Sequence, residues 1–294
     1  MIVIPGPASQ ELGEKIAKLL NVETAPVVFK KFPDGETYIR LEGDLKGEEL
    51  VIVQTTSPPQ ETRLMQLFLM ADTAEELGAK TLTAVVPYLA YARQDRRFLP
   101  GEAVSIRTVA KLLATSGVNR LLTVNVHKEK VLKKFGFPAK SLSAMTVLAE
   151  HFKDKGLAGA FAIAPDEGAL GLAEEAGKVL GGGYGWLRKK RDRYTGGITT
   201  EKKQFDVEGK DVIIFDDIIS SGKTTANAVK ILTEQNARRV YAACVHPLLM
   251  GDAEKIIMRS GAEAVVGTDS VPSSVSVVSV APLIARALTE KEAF

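Results

Sequence analysis

Short apolar runs rich in β-branched residues alternate along this chain with amphipathic helical stretches, and that alternation restricts the fold more than any other feature. Val51-Ile52-Val53 precedes a loop and a helical pattern over 61–77. Thr83-Ala84-Val85-Val86-Pro87 precedes one over 104–115, and an apolar run over 120–125 follows. Ala160-Phe161-Ala162-Ile163-Ala164 leads to a helix over 168–179, Val212-Ile213-Ile214-Phe215 to one over 224–235, and the run 240–245 to one over 252–260. Ala264-Val265-Val266 reads as the last core strand. Apolar runs without two-residue alternation are buried on both faces, and strands that alternate with helices pair in parallel. The predicted class is α/β, with mostly parallel sheets flanked by helices.

The strands are too many for one compact sheet, and 294 residues exceed the usual length of one domain. Gly136-Phe137-Pro138 interrupts the rhythm, so the expected division is 1–139 and 140–280, with an apolar helix near 281–294 returning to the first domain. Segments 83–97 and 211–225 each read as a strand ending in a functional loop, which raises the prospect of two similar halves. The net charge is +2, from 38 basic and 36 acidic residues, so no bulk field favours nucleic acid or an anionic membrane. No apolar stretch is long enough to span a bilayer, the N-terminal residues do not resemble a signal peptide, and the lone Cys244 excludes a disulfide framework. The expected compartment is the cytoplasm, and Cys244, in an apolar run, reads as a core residue.

Ligands of open α/β sheets bind at the carboxyl ends of strands, so polar residues there point to chemistry. Asp216-Asp217 follow the run 212–215, and Ser220-Ser221-Gly222-Lys223-Thr224-Thr225 then open a helix. Two carboxylates beside a buried strand are costly unless they bind something. Small residues at a helix N-terminus let backbone N–H groups reach an anion. Together they suggest a sugar phosphate, with hydroxyls on the carboxylates and phosphate in the turn. A Walker loop would need glycine where Asp217 stands. The plainer reading is a helix start capped by Ser220 or Ser221, which leaves the double aspartate unexplained.

Other strand ends carry weaker signals. Arg93-Gln94-Asp95-Arg96-Arg97 alone reads as a solvated loop, but its position and the nearby Tyr88 and Tyr91 suit a polyphosphate or base. His127 is open between a ligand and a bland residue, whereas His151 and His246 read as a helix-surface and a strand-end residue. Asp166, in Pro165-Asp166-Glu167-Gly168, suits a helix cap as well as a Mg²⁺ or ribose ligand. The basic run 188–193 is either a solvated face or a loop that carries cations to a phosphoryl group. Gly181-Gly182-Gly183-Tyr184-Gly185 reads simply as a turn, as does Phe32-Pro33-Asp34-Gly35-Glu36.

Taken in order, the segments 32–36, 88–97, His127, 165–168, Lys189 with Arg191, and 216–225 resemble the ribose-phosphate pyrophosphokinases, also called phosphoribosyl pyrophosphate synthetases. The resemblance covers most of the chain. It implies two domains of the type I phosphoribosyltransferase fold and transfer of a diphosphoryl group from MgATP to the 1-hydroxyl of ribose 5-phosphate. It implies that Phe32, Asp34, Gly35 and Glu36 reach ATP held by a neighbouring subunit, hence at least a dimer. Arg93, Gln94 and Asp95 would meet the nucleotide, and His127 and Asp166 would position Mg²⁺. Lys189 would be the catalytic lysine, with Arg191 beside it and near the acceptor. Asp216 and Asp217 would hold the ribose hydroxyls, and Ser220, Ser221, Gly222, Lys223 and Thr224 the 5-phosphate.

The chain departs from that pattern at Lys223, where glycine is usual, at Asn125, where an acid is usual, and at Glu167-Gly168-Ala169, where a further glycine is frequent. Lys223 adds charge to the cradle, and Asn125 points to an altered metal site. Two alternatives share the cradle: a phosphoribosyltransferase acting on a base, and a non-catalytic subunit of the same fold. The Arg93 segment and the Lys189 loop argue against the first, and the retained Lys189 against the second.

Overall fold

The computed structural model describes residues 1–191, 198–201 and 206–290, with backbone alone for 188–191 and 198–201. Contacts divide the chain into two units, 1–143 with 279–294, and 144–278.

Unit 1 contains β1 (Ile2–Pro5), α1 (Gln10–Leu20), the hairpin β2 (Val27–Lys31) and β3 (Thr37–Leu41), β4 (Glu49–Val53), α2 (Gln60–Glu76), β5 (Thr81–Val86), α3 (Ser105–Thr115), β6 (Arg120–Val124) and β7 (Ala139–Leu142). Its sheet has the order β1-β4-β5-β6-β7, all parallel. Ile52, Ala84, Leu121 and Leu122 are inaccessible to solvent because helices cover both faces, which is why these strands read as unbroken apolar runs. β7 pairs with β6, so residues 140–142 lie with this sheet although the expected division placed them in the second domain.

Unit 2 contains α4 (Met145–Phe152), β8 (Phe161–Ala164), α5 (Leu170–Leu180), β9 (Tyr184–Trp186), β10 (Arg188–Arg191), β11 (Ile198–Glu201), β12 (Asp211–Ile219), α6 (Lys223–Glu234), β13 (Arg239–Pro247), α7 (Ala253–Arg259), β14 (Val265–Thr268) and β15 (Ser276–Val278). Its sheet runs β15-β14-β13-β12-β8-β9, again all parallel, and β10 pairs with β11 as an antiparallel hairpin. The expected last strand is therefore followed by another, β15, at the sheet edge. The chain then supplies α8 (Ala281–Thr289) to unit 1, where its buried Ile284 and Ala285 pack the helix against α1.

The halves share one topology. β1, β4, β5, β6 and β7 follow one another across the first sheet as β8, β12, β13, β14 and β15 do across the second, and each half places a hairpin between the first two of these strands. The counterpart of β12 and its loop is thus β4 and the loop before α2. Segment 83–97, which the sequence suggested as that counterpart, corresponds instead to β13.

The glycine-rich stretch 181–183 is more than a turn. A Cβ on Gly182 would stand 2.2 Å from the Gly159 carbonyl oxygen, so glycine lets the chain cross close to β8 before forming β9. At the amino edge of the same sheet, the Asp211 carboxylate accepts forked hydrogen bonds from both Arg238 and Arg239.

Candidate active site

The carboxyl edge of unit 2 is built on β12. This strand continues past the apolar run, with Asp216 opposite Cys244 and Ile218 opposite His246 on β13. The paired aspartates therefore belong to a strand, not to the loop beyond it. The ladder fixes their backbone while their side chains stay half-buried. The Asp217 N–H donates to Asp216 Oδ1 at 2.9 Å. Burial, and then the charge of Asp217, push the Asp216 carboxyl well above the usual carboxylate range; Asp166 contributes in the same direction. Asp166 stands just past β8, which pairs with β12, and its carboxylate accepts the Gly168 N–H at 3.0 Å. It is thus the helix cap that one reading of the sequence expected.

The cradle departs from the capped-helix reading. The residue before α6 is Gly222, at φ +72°, and no side chain caps the helix. A Cβ at Gly222 would lie 2.8 Å from the Ala253 carbonyl oxygen at the start of α7, so both conformation and space require glycine. From behind, Leu249 and Met250 donate N–H bonds to the Ile219 and Ser220 carbonyls at 3.0 and 2.9 Å. The first amides of α6 need an acceptor, and Ser221, Lys223 and Thr224 are exposed around them.

In unit 1 the segment after β5 is pinned at three places. The Thr56 hydroxyl donates to the Tyr88 carbonyl and accepts from the Ala90 N–H, both at 2.8 Å. Tyr91 adopts φ +65° and donates its hydroxyl to Glu61 at 2.6 Å, which raises the Tyr91 pKa and lowers that of Glu61. An aromatic residue in the left-handed region is strained and persists only where its surroundings dictate it. Asp95, with only 2% of its side chain exposed, pairs with Lys130 at 3.0 Å and Lys128 at 3.6 Å. The hydrogen bond from Lys130 is the main reason that its carboxyl lies below the usual range.

Between the last two pins, Arg93 is exposed and Gln94 half-buried, its amide donating to the Ala103 carbonyl at 3.3 Å. Asp95 was expected at the nucleotide with them. Its carboxylate is buried and engaged by Lys130 and Lys128.

His127 lies exposed beyond β6, next to Lys128. Phe32, Asp34, Gly35 and Glu36 form the tip of the β2–β3 hairpin: the Glu36 N–H donates to Asp34 at 3.1 Å, and Phe32, 40% exposed, packs edge-on against Tyr38. Lys189 and Arg191 lie on β10, opposite Thr200 and Ile198, with their side chains outside the described part. Cys244 is fully buried and burial pushes its thiol pKa up, as suits a core residue. His246 is buried too, its Nδ1 2.9 Å from the Ser270 hydroxyl. Sequence reasoning missed Thr56, Glu61, Lys128 and Lys130, because only the fold brings them to the Arg93 segment.

A parallel α/β unit in which one strand, β12, carries paired aspartates and leads into an uncapped, small-residue helix turn has the features of the phosphoribosyltransferase class. A model described as the phosphoribosyl transferase domain matches residues 143–279, and one described as the N-terminal domain of ribose phosphate pyrophosphokinase matches 1–117. A ribose-phosphate pyrophosphokinase from Methanothermobacter thermautotrophicus is 42% identical over 98% of this chain and all of its own length. One from Saccharolobus solfataricus is 41% identical, covering 92% of this chain and 93% of the relative. The crystal structure of the phosphoribosylpyrophosphate synthetase from Mycobacterium smegmatis superposes with a TM-score of 0.87 at 30% identity, over 98% of this chain and 97% of that one. The chain belongs to the ribose-phosphate pyrophosphokinase family. No helix among the described residues is long and apolar enough to cross a membrane.

Proposed function

We propose that this chain transfers the β,γ-diphosphoryl group of ATP to the 1-hydroxyl of ribose 5-phosphate, giving phosphoribosyl pyrophosphate and AMP. The observation that carries the acceptor side is the juxtaposition of Asp216 and Asp217 with the uncapped first turn of α6. The carboxylates accept the ribose hydroxyls. The 5-phosphate takes the amides of Lys223 and Thr224, with the hydroxyls of Ser220, Ser221 and Thr224 and the ammonium of Lys223. Unit 1 serves the donor, through Arg93 and Gln94 on their pinned segment and through Phe32, Asp34, Gly35 and Glu36 from a neighbouring copy, which makes the active form at least a dimer.

The metal we assign is Mg²⁺, and the chemistry of the donors fits it. The neighbouring Asp217 and Asp166 raise the proton affinity of the half-buried Asp216, as carboxylates do where a cation is due. Mg²⁺ keeps several waters and binds through one or two carboxylates together with substrate phosphates. His127 and Asp166 would hold it. When bound, Mg²⁺ supplies charge neutralisation at the phosphoryl oxygens.

The transfer is an in-line attack of the 1-hydroxyl oxygen on the β-phosphorus, with AMP leaving. Charge spreads over the phosphoryl oxygens, and Lys189, Arg191 and Arg93 answer it by position and electrostatics. AMP release measured with ATP, ribose 5-phosphate and Mg²⁺ tests the reading. Release that depends on both substrates is the expected result. Release without ribose 5-phosphate, or none at any metal concentration, would overturn it.

A further inference from the structure

Asp95 lies at a junction that the reaction itself does not explain. The segment after β5 carries Arg93 and Gln94, and the segment after β6 carries His127. Nothing in the chain's connectivity couples them, since α3 and β6 intervene. Asp95, one residue beyond Gln94, is nonetheless held by Lys130 Nζ at 3.0 Å and faces Lys128 Nζ at 3.6 Å, and these lysines flank the start of the turn that follows His127. The lysine side chains keep substantial exposure, 37% for Lys128 and 56% for Lys130, whereas the Asp95 side chain is buried.

Burying a carboxylate in a surface loop is unfavourable unless it is paired, and a buried charge deprived of its partner is strongly destabilising. The ion pair therefore commits both segments to one arrangement. Its two arms are unequal. Lys130 is within hydrogen-bond distance, but Lys128, the immediate neighbour of His127, stands beyond it, and Asp95 Oδ1 has no hydrogen-bond donor. The tight arm fixes the β6 segment, and the looser arm leaves the residue beside His127 room to adjust. Upstream, Tyr91 is held by Glu61, so Arg93 and Gln94 are suspended between two anchors, the strained Tyr91 and the buried Asp95.

We infer that Asp95, through Lys130 and Lys128, is a positioning residue that sets His127 relative to Arg93 and Gln94, so that the phosphate-binding and metal-positioning parts of the donor side are preorganised together. The inference rests on the donor-side reading proposed above, and assigns to Asp95 an action through the lysines that it pairs with. A tie of this kind lowers the cost of ordering two loops at the moment of binding, so its loss falls on the nucleotide and not on the acceptor.

Three substitutions test it: Asp95→Asn, which keeps the shape and removes the charge, and Lys130→Met and Lys128→Met, at an exposed and a half-buried position outside the core. Binding of ATP and of ribose 5-phosphate is measured by calorimetry in Mg²⁺ buffer, without turnover. The His127 imidazole is followed by NMR, with His151 and His246 as internal references. The expected result for Asp95→Asn and Lys130→Met is at least tenfold weaker ATP binding, ribose 5-phosphate binding within twofold of wild type, and a displaced or broadened His127 signal. Lys128→Met gives a smaller change in the same direction.

Equal weakening of both ligands, or an unmoved His127 signal in folded Lys130→Met, would overturn the inference. If Asp95→Asn does not fold, Lys130→Met decides alone. Wild-type protein that binds neither ligand would instead overturn the donor-side reading, while the His127 signal would still report on the tie.

Discussion

At the scale of single residues, the site depends on positions that tolerate one chemistry each. Gly222 is the sharpest case. Alanine there must hold a left-handed backbone, at a cost of about 1–2 kcal/mol, and its Cβ must displace the Ala253 carbonyl. We expect Gly222→Ala to weaken ribose 5-phosphate binding at least tenfold by calorimetry, with ATP binding unchanged, because only the cradle is deformed. Lys189 makes a different demand: if it answers charge that develops only during transfer, Lys189→Ala lowers kcat by at least about 100-fold with little change in the affinity for either substrate. Single-turnover kinetics beside calorimetry checks this, and near-normal kcat would remove Lys189 from the chemistry.

At the scale of elements, strands buried on both faces were legible because their apolar runs have no other use. Their ends were not. Asp216-Asp217 looks like the stop of a strand, yet pairing with β13 carries β12 on to Ile219, since a ladder of hydrogen bonds outweighs the low strand preference of aspartate. The glycines at 181–183 look like a loop because nothing in the local sequence announces the nearby Gly159 carbonyl. The pairing of Asp95 with Lys130 was invisible because it joins different βα units.

The Asp211 fork at the start of β12 gives an element-scale prediction. The arginines hold the Asp211 carboxyl below its ordinary pKa, so its stabilisation is fully present above the unfolded-state value of about 4 and is lost as pH falls through the lower folded-state value. Asp211→Asn should cost about 1–3 kcal/mol at pH 7, discounted for the exposed arginines. In urea titrations, that gap between variant and wild type narrows below pH 4; a constant gap would count against the ion pairs.

At the scale of the whole molecule, the reading of Phe32 requires sites completed by a second copy. Phe32→Ala and Lys189→Ala are each expected to be poorly active, for different reasons. Mixed and re-assembled, they should recover up to about a quarter of wild-type activity, because chains pairing at random in a two-fold assembly leave some sites with an intact hairpin from one copy and an intact lysine from the other. No recovery would place hairpin and lysine in the same chain's site.

The docking of α8 on α1 also has a consequence for how the protein is made. Ile284 is fully buried, and Ile284→Ala should cost about 2–5 kcal/mol, measurable as a lowered denaturation midpoint. Yet α8 is translated only after every residue of unit 2. A ribosome finishes unit 2 while unit 1, begun first, still shows the bare side of α1 to solvent. The later-made half can therefore mature before the earlier one, and a nascent chain stalled before Ala281 would be the form most exposed to chaperones and proteases.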